Sequence, residues 1–286
     1  MAISAAHRFG QLLGNLVEAL FEPHLRAFCD DNGLYLDKQG ERPIRKGRKV
    51  SWLDRHDNSH DLDYVVERDG APDKLGRPLA FVEVAWRSYT KHSRNKVQEI
   101  QGAVLPICER YSLDQPFLGA ILAGRFTAPS LDQLRSLDFH VIYMTYDSIV
   151  EAFERFDIDI RFDEKTTEAW FIETYDAISM QPDTVADVLS WLSAKYEPDL
   201  ELFFEKLRAR LSRTVKKVLV APLYGAESGF ASITEAVAFI EGNGAAEGSG
   251  PLRGFDVVVR YSNGDHIDGR FSNVTEAVNF LRYFGN

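Results

Sequence analysis

With 286 residues, 45% of them hydrophobic, the chain can bury a core and is long enough for one large or two modest domains, which excludes disorder as the default. The net charge of −10 argues against a protein that coats nucleic acid and leaves room for a locally basic cleft. No run is apolar enough to span a bilayer, and Met1–Phe21, which carries Glu18, does not read as a signal peptide. Cys29 and Cys108 lie far apart, fit free thiols in a reducing cytoplasm, and are too few for a cysteine-rich zinc site.

In chain order, Ala5–Phe28 repeats Leu12, Leu13, Val17, Leu20, Phe21 and Leu25 at helical spacing, with Pro23 expected to kink or end the helix. Gly33–Arg48 is polar and reads as irregular. Three strands follow: Lys49–Asp54, Asp61–Arg68 and Leu79–Trp86, the second and third joined across the Asp69-Gly70 turn. Ser93–Val104 is a helix, Ser93 its N-cap, Val97, Ile100 and Val104 its buried stripe, and Pro106 its expected end. Pro116–Ala123 and Phe139–Met144 are buried strands, alternating with helices at Ser130–Leu137 and Asp147–Phe156. This order predicts a mixed α/β (α+β) layer fold over residues 1–160.

Residues 161–213 change texture and read as three helices, Thr166–Met180, Thr184–Tyr196 and Asp199–Arg213, punctuated by Pro182 and Pro198. Residues 214–286 read as a small α+β domain. It opens with a strand at Val215–Ala221 and holds a weak internal repeat, in which Phe230–Phe239 (FASITEAVAF) matches Phe271–Phe280 (FSNVTEAVNF). Asn263-Gly264 signals a hairpin between Val257–Tyr261 and His266–Phe271, and residues 242–250 read as a flexible connector.

The chemistry concentrates in the first half. Asp63 lies on the second strand and Glu83 in the middle of the third, between Phe81, Val82, Val84 and Trp86. An unpaired carboxylate in so apolar a strand is costly to bury, whereas two carboxylates on neighbouring strands can share Mg²⁺ or Mn²⁺. The alternative is a strand-end glutamate paired to a surface arginine. Basic residues cluster at Arg42, Arg45, Lys46, Arg48 and Lys49, and again at Arg87, Lys91, His92, Arg94 and Lys96. Such runs are either solvated loops or a phosphate-contacting rim, with Arg45, Lys46, Arg48, Arg87, Lys91 and Arg94 as the candidate contacts. His56-x-x-x-His60, flanked by Asp57 and Asp61, has metal-like composition in a loop-like setting without an HExxH helix.

A helix with Gly14-x-x-x-Glu18, then Leu62-Asp63-Tyr64-Val65-Val66, then Phe81-Val82-Glu83-Val84-Ala85, then a helix with a basic head, resembles the core of PD-(D/E)XK (restriction-endonuclease-like) nucleases over roughly Arg8–Phe156. The resemblance implies a central mixed sheet flanked by helices, a metal held by Asp63 and Glu83, assistance from Glu18, and hydrolysis of double-stranded DNA, with a restriction or defence setting and a homodimer if both strands are cut. No membrane partner is expected, because no run is apolar enough to span a bilayer. One departure stands out: the motif lysine is replaced by Ala85. In some families resembling this one the lysine has moved to the following helix, and Lys96 is the candidate here, with Lys91 and Arg87 in reserve. Gln101, in the apolar sector of that helix, either faces the site or bonds to backbone, and Asp61 is the reserve ligand. The rival readings are a catalytically inactive module of the same fold that binds DNA or protein, and a repair or RNA nuclease.

Overall fold

The structure, a computed structural model, describes residues 4–223, 225–242 and 254–285. Two compact units divide the chain between Leu207 and Arg208. The connector expected at 242–250 lies outside the described residues, apart from Gly242 at the end of a helix. Among the described residues no helix is long and apolar enough to cross a membrane.

The first unit opens with α1 (Ala5–Asp31), capped by the Ser4 hydroxyl, which accepts the His7 N–H. Pro23 does not end this helix, because Leu20 and Phe21 before it and Leu25 and Phe28 after it bury one continuous face. Next come β1 (Tyr35–Lys38), β2 (Val50–Leu53), β3 (Ser59–Leu62), β4 (Tyr64–Arg68), β5 (Arg77–Arg87), α2 (Ser93–Arg110), β6 (Phe117–Gly124), α3 (Ala128–Arg135), β7 (Phe139–Thr145) and α4 (Tyr146–Glu154). The central sheet has five strands in the order β1-β4-β5-β6-β7. Its β1–β4 and β4–β5 pairs are antiparallel, and its β5–β6 and β6–β7 pairs are parallel. The fold is thus mixed α/β, with a mixed central sheet flanked by helices.

Helices α2 and α3 cover one face through Val97, Ile100, Val104, Ile107, Leu131 and Leu134, packed against Val65, Phe81, Ala85, Leu118, Ala120 and Leu122 of the sheet. The other face meets α1. It also meets Phe203 of α7 (Glu197–Leu211), which follows α5 (Glu168–Ser179) and α6 (Pro182–Lys195). Gly119 admits Phe203: a Cβ there would stand 2.7 Å from the ring. Helices α5 and α6 pack on α1, and of the helical segment expected at 161–213, residues 161–207 belong to this unit.

Three local expectations are corrected. Strand β1 occupies a stretch expected to be irregular, because pairing with β4 orders residues whose own pattern carries no strand signal. Helix α2 continues through Pro106 to Arg110, held by the burial of Val104 and Ile107 on either side. Ser93 is not its N-cap: His92 holds that position, and the Ser93 hydroxyl donates to the Thr90 carbonyl.

The second unit contains β8 (Val215–Pro222), β9 (Ser228–Phe230), α8 (Ile233–Glu241), β10 (Phe255–Tyr261), β11 (His266–Phe271) and α9 (Val274–Tyr283). Its four-stranded sheet runs β11-β10-β8-β9, with β8 and β10 antiparallel at the centre. The chain thus forms two strand–strand–helix repeats joined through their first strands. Each repeat carries the same capping box. Ser232 accepts the Glu235 N–H while the Glu235 carboxylate accepts the Ala231 N–H; Asn273 and Glu276 do the same with Ser272. Each also stacks its two phenylalanines alike, Phe230 on Phe239 at 4.9 Å and Phe271 on Phe280 at 4.8 Å. The β10–β11 hairpin turns through Asn263-Gly264, with Gly264 in the left-handed region at φ 94°.

Candidate functional site

The stretch 61–68, expected as one strand, breaks at Asp63. Residues 59–62 pair with β2 as a separate hairpin, and residues 64–68 pair with β5 in the central sheet. The Tyr64–Val82 register places Asp63 across from Glu83 at the point where the strand leaves the sheet. There the Asp63 carboxylate accepts the Val84 N–H at 2.7 Å, and the Glu83 carboxylate accepts the Asp63 N–H at 3.2 Å. The Asp63 side chain thereby replaces the backbone acceptor that a continuing β4 would have offered, so no amide is left bare.

Strand period puts Phe81, Glu83 and Ala85 on one face, and Phe81 and Ala85 belong to the cluster under α2. Glu83 therefore faces α2 and is 4% exposed. Burial, then the charge of Asp63, raises its pKa to about 8, against the opposing pull of the Lys96 charge and the Asp63 N–H. The Asp63 pKa is raised by burial despite the Val84 N–H and Lys96. That of Glu18, on α1, is raised by burial, then by Asp63 and Glu22. Asp63 and Glu83 thus hold protons more tightly than usual within the field of Lys96, and Glu18 does so within the field of Asp63.

A cleft of about 650 Å³ opens here between α1, the end of β5 and the head of α2. Glu18, Ala85, Arg87 and Lys96 line it, as does Val84, whose amide binds Asp63. Asp63 and Glu83 are not among the lining residues. The Lys96 side chain is 20% exposed, and its amine lies 3.8 Å from Glu99. Glu99 also receives Arg87 at 3.4 Å, so one carboxylate gathers both cations of the cleft. Burial lowers the Arg87 pKa, with Glu99 opposing.

Other candidates fall elsewhere. Arg45 is not a rim residue: it donates to Asp37, Lys38 and Gly40 and to the Lys49 carbonyl, tying down its own loop. Its neighbour Arg42 is buried, chelating Glu67 at 2.6 and 3.0 Å and meeting Asp37 at 2.8 Å. Lys46, Arg48 and Arg94 are exposed. Lys91 is exposed and paired with Glu164 at 2.8 Å. Asp61 is no reserve ligand, because β3 carries it away from the central sheet and Lys49 and Ser51 bind it at 2.5 and 2.7 Å. Gln101 turns from the cleft toward α3, where its oxygen accepts from Gln133 at 3.0 Å. His60 bonds Asp54 in the β2–β3 hairpin, and Arg55 donates to His56. Among the described residues no group of three or more His, Cys, Asp or Glu side chains is arranged to hold a metal ion.

Sequence reasoning missed Gln11 and Asn15, which line the cleft from α1, as well as Asn95 and Glu99 from α2. The signal was present: Gln11, Asn15 and Glu18 recur on the polar side of α1 at turn spacing, and Glu99 lies one turn beyond Lys96. Compared with protein-family models, with curated proteins and with solved structures, the chain shows no significant match to any.

Proposed function

We propose that the chain is a divalent-metal-dependent nuclease that hydrolyses DNA phosphodiester bonds, with Asp63 and Glu83 holding Mg²⁺ or Mn²⁺. The observation that carries this reading is the reciprocal bonding of the two carboxylates at a strand break, where burial and mutual repulsion favour a neutralising cation. Two carboxylates suit Mg²⁺, which keeps several waters and accepts substrate phosphate oxygens as its other ligands. Two oxygen donors match that preference in kind, and because Glu83 is buried, the water and substrate that would complete the set would have to approach from the side of Asp63. When bound, such an ion lowers the pKa of water and offsets charge on the phosphate. The Val84 N–H fixes the Asp63 carboxylate, and the Asp63 N–H fixes that of Glu83, so both acids are oriented before anything binds. Lys96, whose charge reaches both acids, supplies the cation that Ala85 cannot, and stabilises charge as it builds on the phosphate.

Incubation of the purified chain with linear and supercoiled DNA, with Mg²⁺ or with EDTA, tests the reading. Metal-dependent cleavage lost in Asp63→Asn supports it, and no cleavage under any metal condition, together with no Mn²⁺ binding by calorimetry, rejects it. A second reading, an inactive binding module, is favoured by Ala85: the motif's lysine position is 5% exposed and packed into the apolar cluster under α2. That reading requires nucleic acid or protein binding that is indifferent to metal.

A further inference from the structure

In the second unit, Phe255, Val257 and Val259 of β10 are buried, on the face that meets α8 and α9. Period two then turns Asp256, Val258 and Arg260 onto the open face of the sheet. The register on either side is explicit: Arg260 pairs with Lys217 of β8 and with His266 of β11. Lys217, Arg260 and His266 therefore stand abreast on one rung, roughly 4.8 Å apart from strand to strand, and all three are exposed. Like charges directly opposite one another weaken a sheet. Among the described residues neither Lys217 nor Arg260 has an acidic side chain within ion-pair distance. Among the described strand residues, the acids on this face are Asp256, held by Arg270 at 2.6 Å, and Asp268 on the next rung. Gly229 of β9 keeps the face clear for the lysine: a Cβ there would stand 2.7 Å from the Lys217 Cε. Arg260, His266, Asp268 and Arg270 line a shallow depression of about 820 Å³.

We propose that this open sheet face is a second nucleic-acid contact surface, on which Lys217 and Arg260, with His266, bind the phosphate backbone without reading sequence. Part of the argument rests on the nuclease reading of the first unit. A nuclease must hold a polyanion; in that unit Arg42 and Arg45 are tied into the fold and Arg87, Lys91 and Lys49 are paired with acids, which leaves the exposed Lys46 and Arg48 on one turn and Arg94 at the head of α2. The second unit adds further charge in an exposed row, across adjacent strands whose neighbouring rung on the same face carries the buried Leu219 and the half-buried Val258.

The test uses the full chain in EDTA, so that binding is read without cleavage, and fluorescence anisotropy with a labelled DNA duplex at several salt concentrations. Lys217→Glu with Arg260→Glu should weaken binding at least tenfold and lower the salt slope by about two, one for each phosphate contact removed. The milder pair Lys217→Gln and Arg260→Gln should move both in the same direction, and thermal unfolding of each variant checks that the fold is kept. An unchanged affinity and slope, no DNA binding by the wild type, or equal binding of polyglutamate or anionic vesicles in place of DNA would each overturn the proposal. Cleavage assays on the same variants separate the two readings. If only the nuclease reading fails, binding responds to the charge reversals and no Mg²⁺-dependent cutting is seen. If only the surface fails, cutting persists while affinity ignores Lys217 and Arg260.

Discussion

Asp63 and Glu83 hold each other in place through backbone rather than through a direct side-chain bond: the Glu83 carboxylate accepts the Asp63 N–H, and the Asp63 carboxylate accepts the N–H of Val84, the residue after Glu83. Two acids locked in this way cannot swing apart to relieve their repulsion.

Asp63→Asn and Glu83→Gln keep the oxygen that accepts each amide and remove the charge. Each should abolish Mg²⁺-dependent cleavage, by a factor on the order of a hundred or more, while far-UV circular dichroism stays as in the wild type. Wild-type turnover in either variant would remove the proposed site.

Stability should depend on pH through Glu83. Its folded pKa of about 8 lies above its unfolded value, so between the ordinary carboxylate range and about pH 8 the folded chain keeps a proton that the unfolded chain releases. The metal-free protein should therefore be most stable at the acid end of that window and lose stability as pH rises through it. Glu83→Gln should flatten the profile, leaving the slope due to Asp63 and Glu18, whose pKa values move the same way. Thermal melts in EDTA from pH 5 to 9 measure this; a wild-type profile that rises toward pH 9 contradicts it.

Lys96→Ala should lower turnover by about two orders of magnitude with little change in DNA affinity, because its charge acts on the site where the transition state forms. Lys91→Ala should do much less, since Lys91 is exposed and engaged by Glu164. Equal effects of the two substitutions would remove Lys96 from its assigned role.

Arg42 is a stability residue rather than a DNA contact. Removing it leaves Glu67 and Asp37 buried without their cation. Arg42→Ala should cost roughly 3–5 kcal/mol in urea unfolding of the first unit. Lys46→Ala with Arg48→Ala, both exposed, should leave stability within about half a kcal/mol of wild type. A small loss for Arg42→Ala would mean that water reaches the pair.

What could be read along the chain was whatever repeats locally. An acid inside the apolar run of β5 announced itself, as did the alternation of the buried strands, the apolar stripes of α1 and α2, and the Thr-Glu-Ala-Val motif whose two copies cap α8 and α9 alike. These signals arise from periods of two and 3.6 residues and from side chains reaching their own backbone, and they need no distant partner. Tertiary structure alone decided how the acids and cations are shared out. Nothing between Asp61 and Arg68 marks Asp63 as the break, because the break is stabilised by an amide 21 residues away in sequence, on β5. Nothing in the run from Arg42 to Lys49 separates the arginines buried on Asp37 and Glu67 from the exposed Lys46 and Arg48. Gln101 looks toward α3 because Gln133 is there. The row of Lys217, Arg260 and His266 exists only through the register of three strands. A charge interacts with whatever the fold brings near it, so residue type could be read from the sequence, and the choice of partner could not.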